Sequence, residues 1–126
     1  MKEKIIKYKI LVAEDEKPMA HALELKLIHS GFDPKVVFDG EAALKELEAN
    51  KYDLLLLDIM MPRLNGFAVL TKLKEDKNPI PVVVSSNLGQ EEDFKQAKSL
   101  DAADYIIKSD TPIAEIVEKI KKVLKV

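Results

Sequence analysis

The stretch Tyr52–Gly66, YDLLLLDIMMPRLNG, decides the fold. Its four consecutive leucines are flanked by acids, form a run too short for an ordinary helix, and show none of the alternation of a half-exposed strand. They read as a strand covered on both faces, the pattern of a parallel sheet packed between helices. Asp58 then falls at the carboxyl end of a central strand, the edge of an open α/β sheet where ligands bind. An isolated aspartate after a strand is more often a turn former or helix cap. What else reaches that edge therefore decides its meaning.

Outward from this segment, strand-like and helix-like patterns alternate. YKILVA (Tyr8 to Ala13) is an apolar first strand. EDEKP follows, with a proline suited to the first turn of a helix whose inner face carries Met19, Leu23 and Leu27, and Gly31 is positioned as its C-terminal cap. KVVF is a second strand and DG a turn, before a helix EAALKELEAN with Ala42, Ala43 and Leu47 on one side. GFAVLTKLKED, PVVVSS, QEEDFKQAKSL, ADYIIK and TPIAEIVEKIKKVL supply the remaining helices and strands. The expected fold is α/β, a doubly wound, flavodoxin-like sheet of five parallel strands in the order 2-1-3-4-5. No linker or low-complexity segment divides residues 1–126, so one domain is expected, with residues 1–7 a tail or an extension of the first strand.

Composition narrows the class. The chain has 126 residues, 47% apolar and 33% charged, with a net charge of -2, which fits a soluble globular protein and predicts no direct nucleic-acid binding. Cysteine is absent, so disulfides and thiolate metal sites are excluded and an intracellular setting is the default. The apolar runs fall far short of the roughly 20 residues of a membrane span, and MKEKIIKYKI lacks the apolar core of a signal peptide. The expected location is cytoplasmic, with no membrane partner. His21 and His29 share the first helix without a nearby cysteine and read as surface or boundary groups.

With the strands placed this way, one sheet edge receives Glu14 and Asp15 after the first strand, Asp58 after the third, Ser86 at the end of the fourth and Lys108 after the fifth. Three carboxylates packed together raise one another's pKa unless a cation balances them. A hard divalent ion with oxygen ligands, Mg²⁺, answers that need. An aspartate beside such an ion can attack phosphorus and form an acyl phosphate, with Lys108 and Ser86 stabilising the phosphoryl oxygens.

The segments ILVAEDE, LLLLDIMMPRLNG, PVVVSS and DYIIK, in this order and at these gaps, resemble the receiver domain of two-component response regulators. The resemblance runs from Lys9 to the C-terminus. It implies that Asp58 is phosphorylated, that Asp15 is a direct Mg²⁺ ligand and Glu14 a ligand through water, and that the Met60 carbonyl adds another oxygen. It also implies that Ser86 turns toward the phosphoryl group, that Lys108 is its ionic partner, and that the Tyr105 ring moves with them. Such a chain supplies catalytic residues for its own phosphorylation and dephosphorylation. The implied donor is a phosphohistidine on a sensor histidine kinase or a histidine phosphotransfer protein. The implied output surface is the fourth helix, fifth strand and fifth helix, where Lys95, Lys98, Asp101 and Asp104 give mixed charge for an unknown downstream protein.

Two departures stand out. Ser109 follows Lys108 where many receivers have a proline, often after a cis bond, so a trans peptide is expected here. Asn87 stands where the family often has a smaller residue. Met60 and Met61 read as core fillers. A haloacid-dehalogenase-type phosphatase would need an aspartate two residues after the nucleophile, where Met60 stands; a receiver-like module that is never phosphorylated is the other alternative. No output domain follows the last helix, so the chain reads as a stand-alone regulator or a receiver cut from a longer protein.

Overall fold

The computed structural model describes residues 7–126; of the tail or strand extension expected at residues 1–7, residues 1–6 lie outside them, and Lys7 precedes β1, which begins at Lys9. The elements run β1 (Lys9–Ala13), α1 (Lys17–His29), β2 (Asp33–Val37), α2 (Gly40–Ala49), β3 (Leu54–Leu57), α3 (Gly66–Glu75), β4 (Val82–Ser86), α4 (Glu91–Ser99), β5 (Asp104–Ile107) and α5 (Ile113–Leu124). A single 3₁₀ turn, Lys108–Asp110, joins β5 to α5. All strands pair in parallel in the order β2-β1-β3-β4-β5.

The leucine run explains itself once the two faces are separated. Successive strand residues point to opposite faces, so Leu55 and Leu57 join the core under α2, α3 and α4, with Ala43, Val69, Leu70, Leu73 and Ala97. Leu54 and Leu56 join the core under α1 and α5, with Leu23, Leu27, Ile116, Val117 and Ile120. None of the four leucines is more than 2% exposed. Each contributes about 1.5–3 kcal/mol by leaving water, and a strand with one polar face could not lie between two helical layers.

Three local readings change. DG is no simple turn: Asp39 is the N-cap of α2, its Oδ1 accepting the Ala42 N–H at 2.8 Å, and Gly40 is the first helical residue. β2 is DPKVV, because Lys9 pairs with Asp33 and Ile10 with Pro34, and a proline is tolerated on this edge strand. Phe38 lies beyond the strand and is exposed. Met61 is buried as expected, but Met60 is 59% exposed, so its side chain fills no core gap; the apolar strand has already ended at Leu57.

α1 is closed at the amino edge of the sheet by a compact capping motif. The Gly31 N–H donates to the Ile28 carbonyl and the Phe32 N–H to that of Leu27, with Gly31 at φ 90°. This is a Schellman cap in which the left-handed residue is the glycine expected there.

Candidate functional site

The sheet brings Glu14, Asp58 and Lys108 together at its carboxyl edge. The Glu14 N–H donates to the Val37 carbonyl and the Asp58 N–H to that of Ala13, each at 3.0 Å, so the backbones bearing both acids are tied to adjacent strands. Glu14 is 2% and Asp58 3% exposed. Lys108 enters from the turn after β5. Its Nζ donates to both Glu14 oxygens at 2.7 and 2.8 Å and to Asp58 Oδ2 at 3.1 Å, with exposed Glu16 at 3.7 Å. The other Asp58 oxygen, Oδ1, accepts the Met60 N–H at 3.1 Å. Asp15 lies nearer solvent, and Glu14, Asp15 and Asp58 each offer a carboxylate oxygen within 4.8 Å of the others.

Close approach of the chain is built in. A Cβ at Gly66 would lie 2.6 Å from the Asp58 carbonyl oxygen, and the Gly66 N–H donates to the Ile59 carbonyl at 2.9 Å. Glycine at this point lets the start of α3 pack against the backbone that carries Asp58.

Burial and charge pull these groups in opposite directions. Burial raises the Glu14 pKa to about 7, aided by the Asp58 charge and opposed by the Lys108 hydrogen bond. Burial also raises that of Asp58 against the attraction of Lys108. For Lys108 burial acts to lower the pKa, but the Glu14 hydrogen bond and the Asp58 and Glu14 charges outweigh it and the pKa is raised. One ammonium thus faces two buried carboxylates and a third at the rim. The surplus is negative, and every donor is oxygen, the ligand set of a hard cation.

Ser86 and Tyr105 meet through the loop after β4 instead of at Asp58. Ser86 is fully buried, and its Oγ accepts the Leu88 N–H at 3.3 Å. The Tyr105 hydroxyl donates to the Leu88 carbonyl at 2.7 Å, and its ring packs edge-on against Phe94 of α4 with centroids 4.5 Å apart. One loop residue therefore links the hydroxyl at the end of β4 with the ring on β5. The Asn87 Oδ1 accepts the Ser109 N–H at 3.0 Å, a contact that sequence reading missed. Its signal was the serine itself, because a proline there has no N–H to give. The described residues contain no cis peptide, so the Lys108–Ser109 bond is trans, as expected.

Other expected groups have neighbours of their own. His21 and His29 are exposed. On the α4–β5 face, Lys95 pairs with Glu91 at 3.3 Å, Asp101 with Lys74 at 3.7 Å and Asp104 with Lys119 at 3.8 Å. No helix among the described residues is long and apolar enough to cross a membrane.

Fold and site define a flavodoxin-like α/β protein whose switch-point edge holds an acidic pocket bridged by one buried lysine. Residues 10–121 match the family model of the response regulator receiver domain, and the chain belongs to that family. It is 36% identical over 117 residues to the alkaline phosphatase synthesis transcriptional regulatory protein PhoP of Bacillus subtilis, covering 93% of this chain and 48% of that protein. It is 31% identical over 119 residues to the response regulator ArlR of Staphylococcus saprophyticus, covering 93% of this chain and 52% of the relative. The chain spans about half the length of the curated relatives it matches. Among solved structures, the receiver domain of the Francisella response regulator 1452 superposes with a TM-score of 0.90 at 32% identity, covering 94% of this chain and 98% of that one. A CheY-like receiver domain protein from Methanospirillum hungatei shares the fold, with a TM-score of 0.89 at 21% identity over 95% of each chain.

Proposed function

We propose that the chain is a phosphorylation-controlled signalling switch in which Asp58 accepts a phosphoryl group from a phosphohistidine on a sensor histidine kinase or histidine phosphotransfer protein. The observation that carries this reading is the buried Asp58 carboxylate held between the Lys108 ammonium and the Met60 N–H, beside Glu14 and Asp15. Asp15 and Asp58 would hold Mg²⁺ directly, Glu14 through water, and the Met60 carbonyl would add an oxygen. When bound, the ion screens the repulsion between carboxylate and phosphoryl oxygens.

The chain's own residues do the rest. An Asp58 oxygen forms the new bond to phosphorus as the bond to the donor nitrogen breaks, and the electron pair leaves on the imidazole. Lys108 then exchanges part of its contact with Glu14 for a phosphoryl oxygen, and the buried pocket strengthens that attraction. Ser86 turns its hydroxyl to the phosphoryl group and releases the Leu88 N–H. Tyr105 is tied to the same residue through the Leu88 carbonyl, so the loop and ring shift together and alter the face made by α4, β5 and α5. That face regulates a downstream protein. Phosphate selects between two arrangements that already exist, and a 1.4 kcal/mol change in their gap alters the ratio about tenfold.

The test is acid-stable and hydroxylamine-labile labelling by a small acyl phosphate in the presence of Mg²⁺. Label is expected on the parent and absent from Asp58→Asn. A parent that takes no label is the receiver-like module that is never phosphorylated, and label persisting in Asp58→Asn places the acceptor elsewhere.

A further inference from the structure

The β4–β5 ladder ends with Ser86 opposite Ile107. The next residues are Asn87 and Lys108, and here a side chain takes over: Asn87 Oδ1 accepts the N–H of Ser109 at 3.0 Å. This bond joins the residue after the site's hydroxyl to the residue after its cation. It ties the loop after β4 to the 3₁₀ turn whose first residue is Lys108.

We infer that Asn87 is a positioning residue: by accepting the Ser109 backbone N–H, it fixes the turn from which Lys108 reaches Glu14 and Asp58. The ion pairs of Lys108 cannot do this alone. They hold the ammonium only while its carboxylate partners stay in place, and transfer to Asp58 changes one of them. The Asn87 bond instead holds the backbone origin of the lysine, whichever oxygen its ammonium meets. Asn87 suits the task because its side-chain carbonyl is a neutral acceptor for a backbone N–H. Ser109 suits it because its backbone carries a donor, and its exposed side chain is not used.

The effect on transfer rests on the proposed function, but the positioning does not, and the two are separable by experiment. In metal-free protein without phosphodonor, the Ser109 amide should exchange slowly in the parent and in Ser109→Ala, which keeps the N–H. In Asn87→Ala it should exchange faster, and the slowly exchanging ammonium signal of Lys108 should weaken. With acetyl phosphate and Mg²⁺, Asn87→Ala and Ser109→Pro should each lower the maximal transfer rate about threefold, the worth of one modest hydrogen bond. The half-saturating acetyl phosphate concentration should not move. Ser109→Ala should transfer like the parent, and the double variant Asn87→Ala/Ser109→Pro should be no slower than either single one. Equal Ser109 exchange and an equal Lys108 signal in parent and Asn87→Ala overturn the inference, as does Ser109→Ala transferring as slowly as Asn87→Ala. Absence of label on the parent overturns the proposed function instead, and the amide and ammonium signals still decide the role of Asn87.

Discussion

Leu57 and Asp58 are consecutive and almost equally hidden, at 0% and 3% exposure, yet burial has opposite meaning for them. The leucine is stabilised by leaving water. Burial disfavours the aspartate's charge, and Lys108 and the Met60 N–H oppose that by standing in for the water it lost. The sheet interior is held by apolar surface, and its carboxyl rim by a charge balance that one added or removed charge would upset. A rim of this kind can respond to a phosphoryl group or a cation; the interior cannot.

The largest effect that sharpens this contrast is removal of the cation that bridges the rim's buried acids. Lys108→Met keeps most of the volume but leaves Glu14 and Asp58 facing each other, and breaking a buried pair in this way costs about 3–5 kcal/mol. The loss should shrink in saturating Mg²⁺, which replaces the positive charge. Denaturant unfolding with and without Mg²⁺ measures both numbers. A variant as stable as the parent in metal-free buffer would mean that the rim is solvated and the contrast with Leu57 is false.

On the apolar side, Leu56→Ala should cost about 2–5 kcal/mol through lost burial and the cavity left between the sheet and the α1/α5 layer. Its cost should be the same with Mg²⁺ and without. A Mg²⁺-dependent Leu56→Ala penalty would show that interior and rim are one coupled unit.

The third effect is the response of the rim to pH. The folded protein holds the Glu14 proton more tightly than the unfolded chain does, since burial lifts the pKa from 4.5 to about 7. The resulting stabilisation is fully present below the unfolded value and is lost as pH rises through the folded one. Metal-free parent should therefore lose stability between about pH 5 and about pH 8 relative to Glu14→Gln, which has no proton to release there. Mg²⁺ affinity should run the other way, rising over the same interval as the carboxylate frees itself. Parallel pH profiles for parent and Glu14→Gln would remove Glu14 from the balance.

How far this division was readable from sequence follows from the same physics. The LLLL run and the acids at strand ends are legible because strand burial is local: a run without polar residues needs cover on both faces, and its end fixes where Asp58, Glu14 and Lys108 fall. Met60 reads as core by residue type but is exposed, because an apolar side chain says nothing of the side on which a strand has ended. In DG, Asp39 fits both a turn and an N-cap by residue type, and its bond from the Ala42 N–H shows the cap. The Asn87–Ser109 bond joins a side chain to a backbone group 22 positions away, a relation that no periodicity carries.

The smallest effect lies at the opposite edge of the sheet, where neither apolar burial nor charge balance decides and backbone conformation does. α1 and α3 both end in a Schellman cap. The left-handed residue is Gly31 in the first, and Lys77, at φ 54°, in the second, where the Lys77 N–H meets the Lys74 carbonyl and the Asn78 N–H that of Leu73. A left-handed conformation costs a residue with a Cβ about 1 kcal/mol relative to glycine. Lys77→Gly should thus stabilise the protein by about 1 kcal/mol, raising the melting temperature by roughly 3–5 °C for a domain of this size. Gly31→Ala should lower it, although nothing lies within 4 Å of the added Cβ, because the strain is in the backbone and not in packing. Both shifts should be independent of Mg²⁺ and leave the transfer proposed for Asp58 unchanged, since the acids lie at the carboxyl edge. Calorimetry on the two variants with and without Mg²⁺ decides it: a Lys77→Gly gain that depends on Mg²⁺ would mean that the two edges of the sheet are energetically coupled.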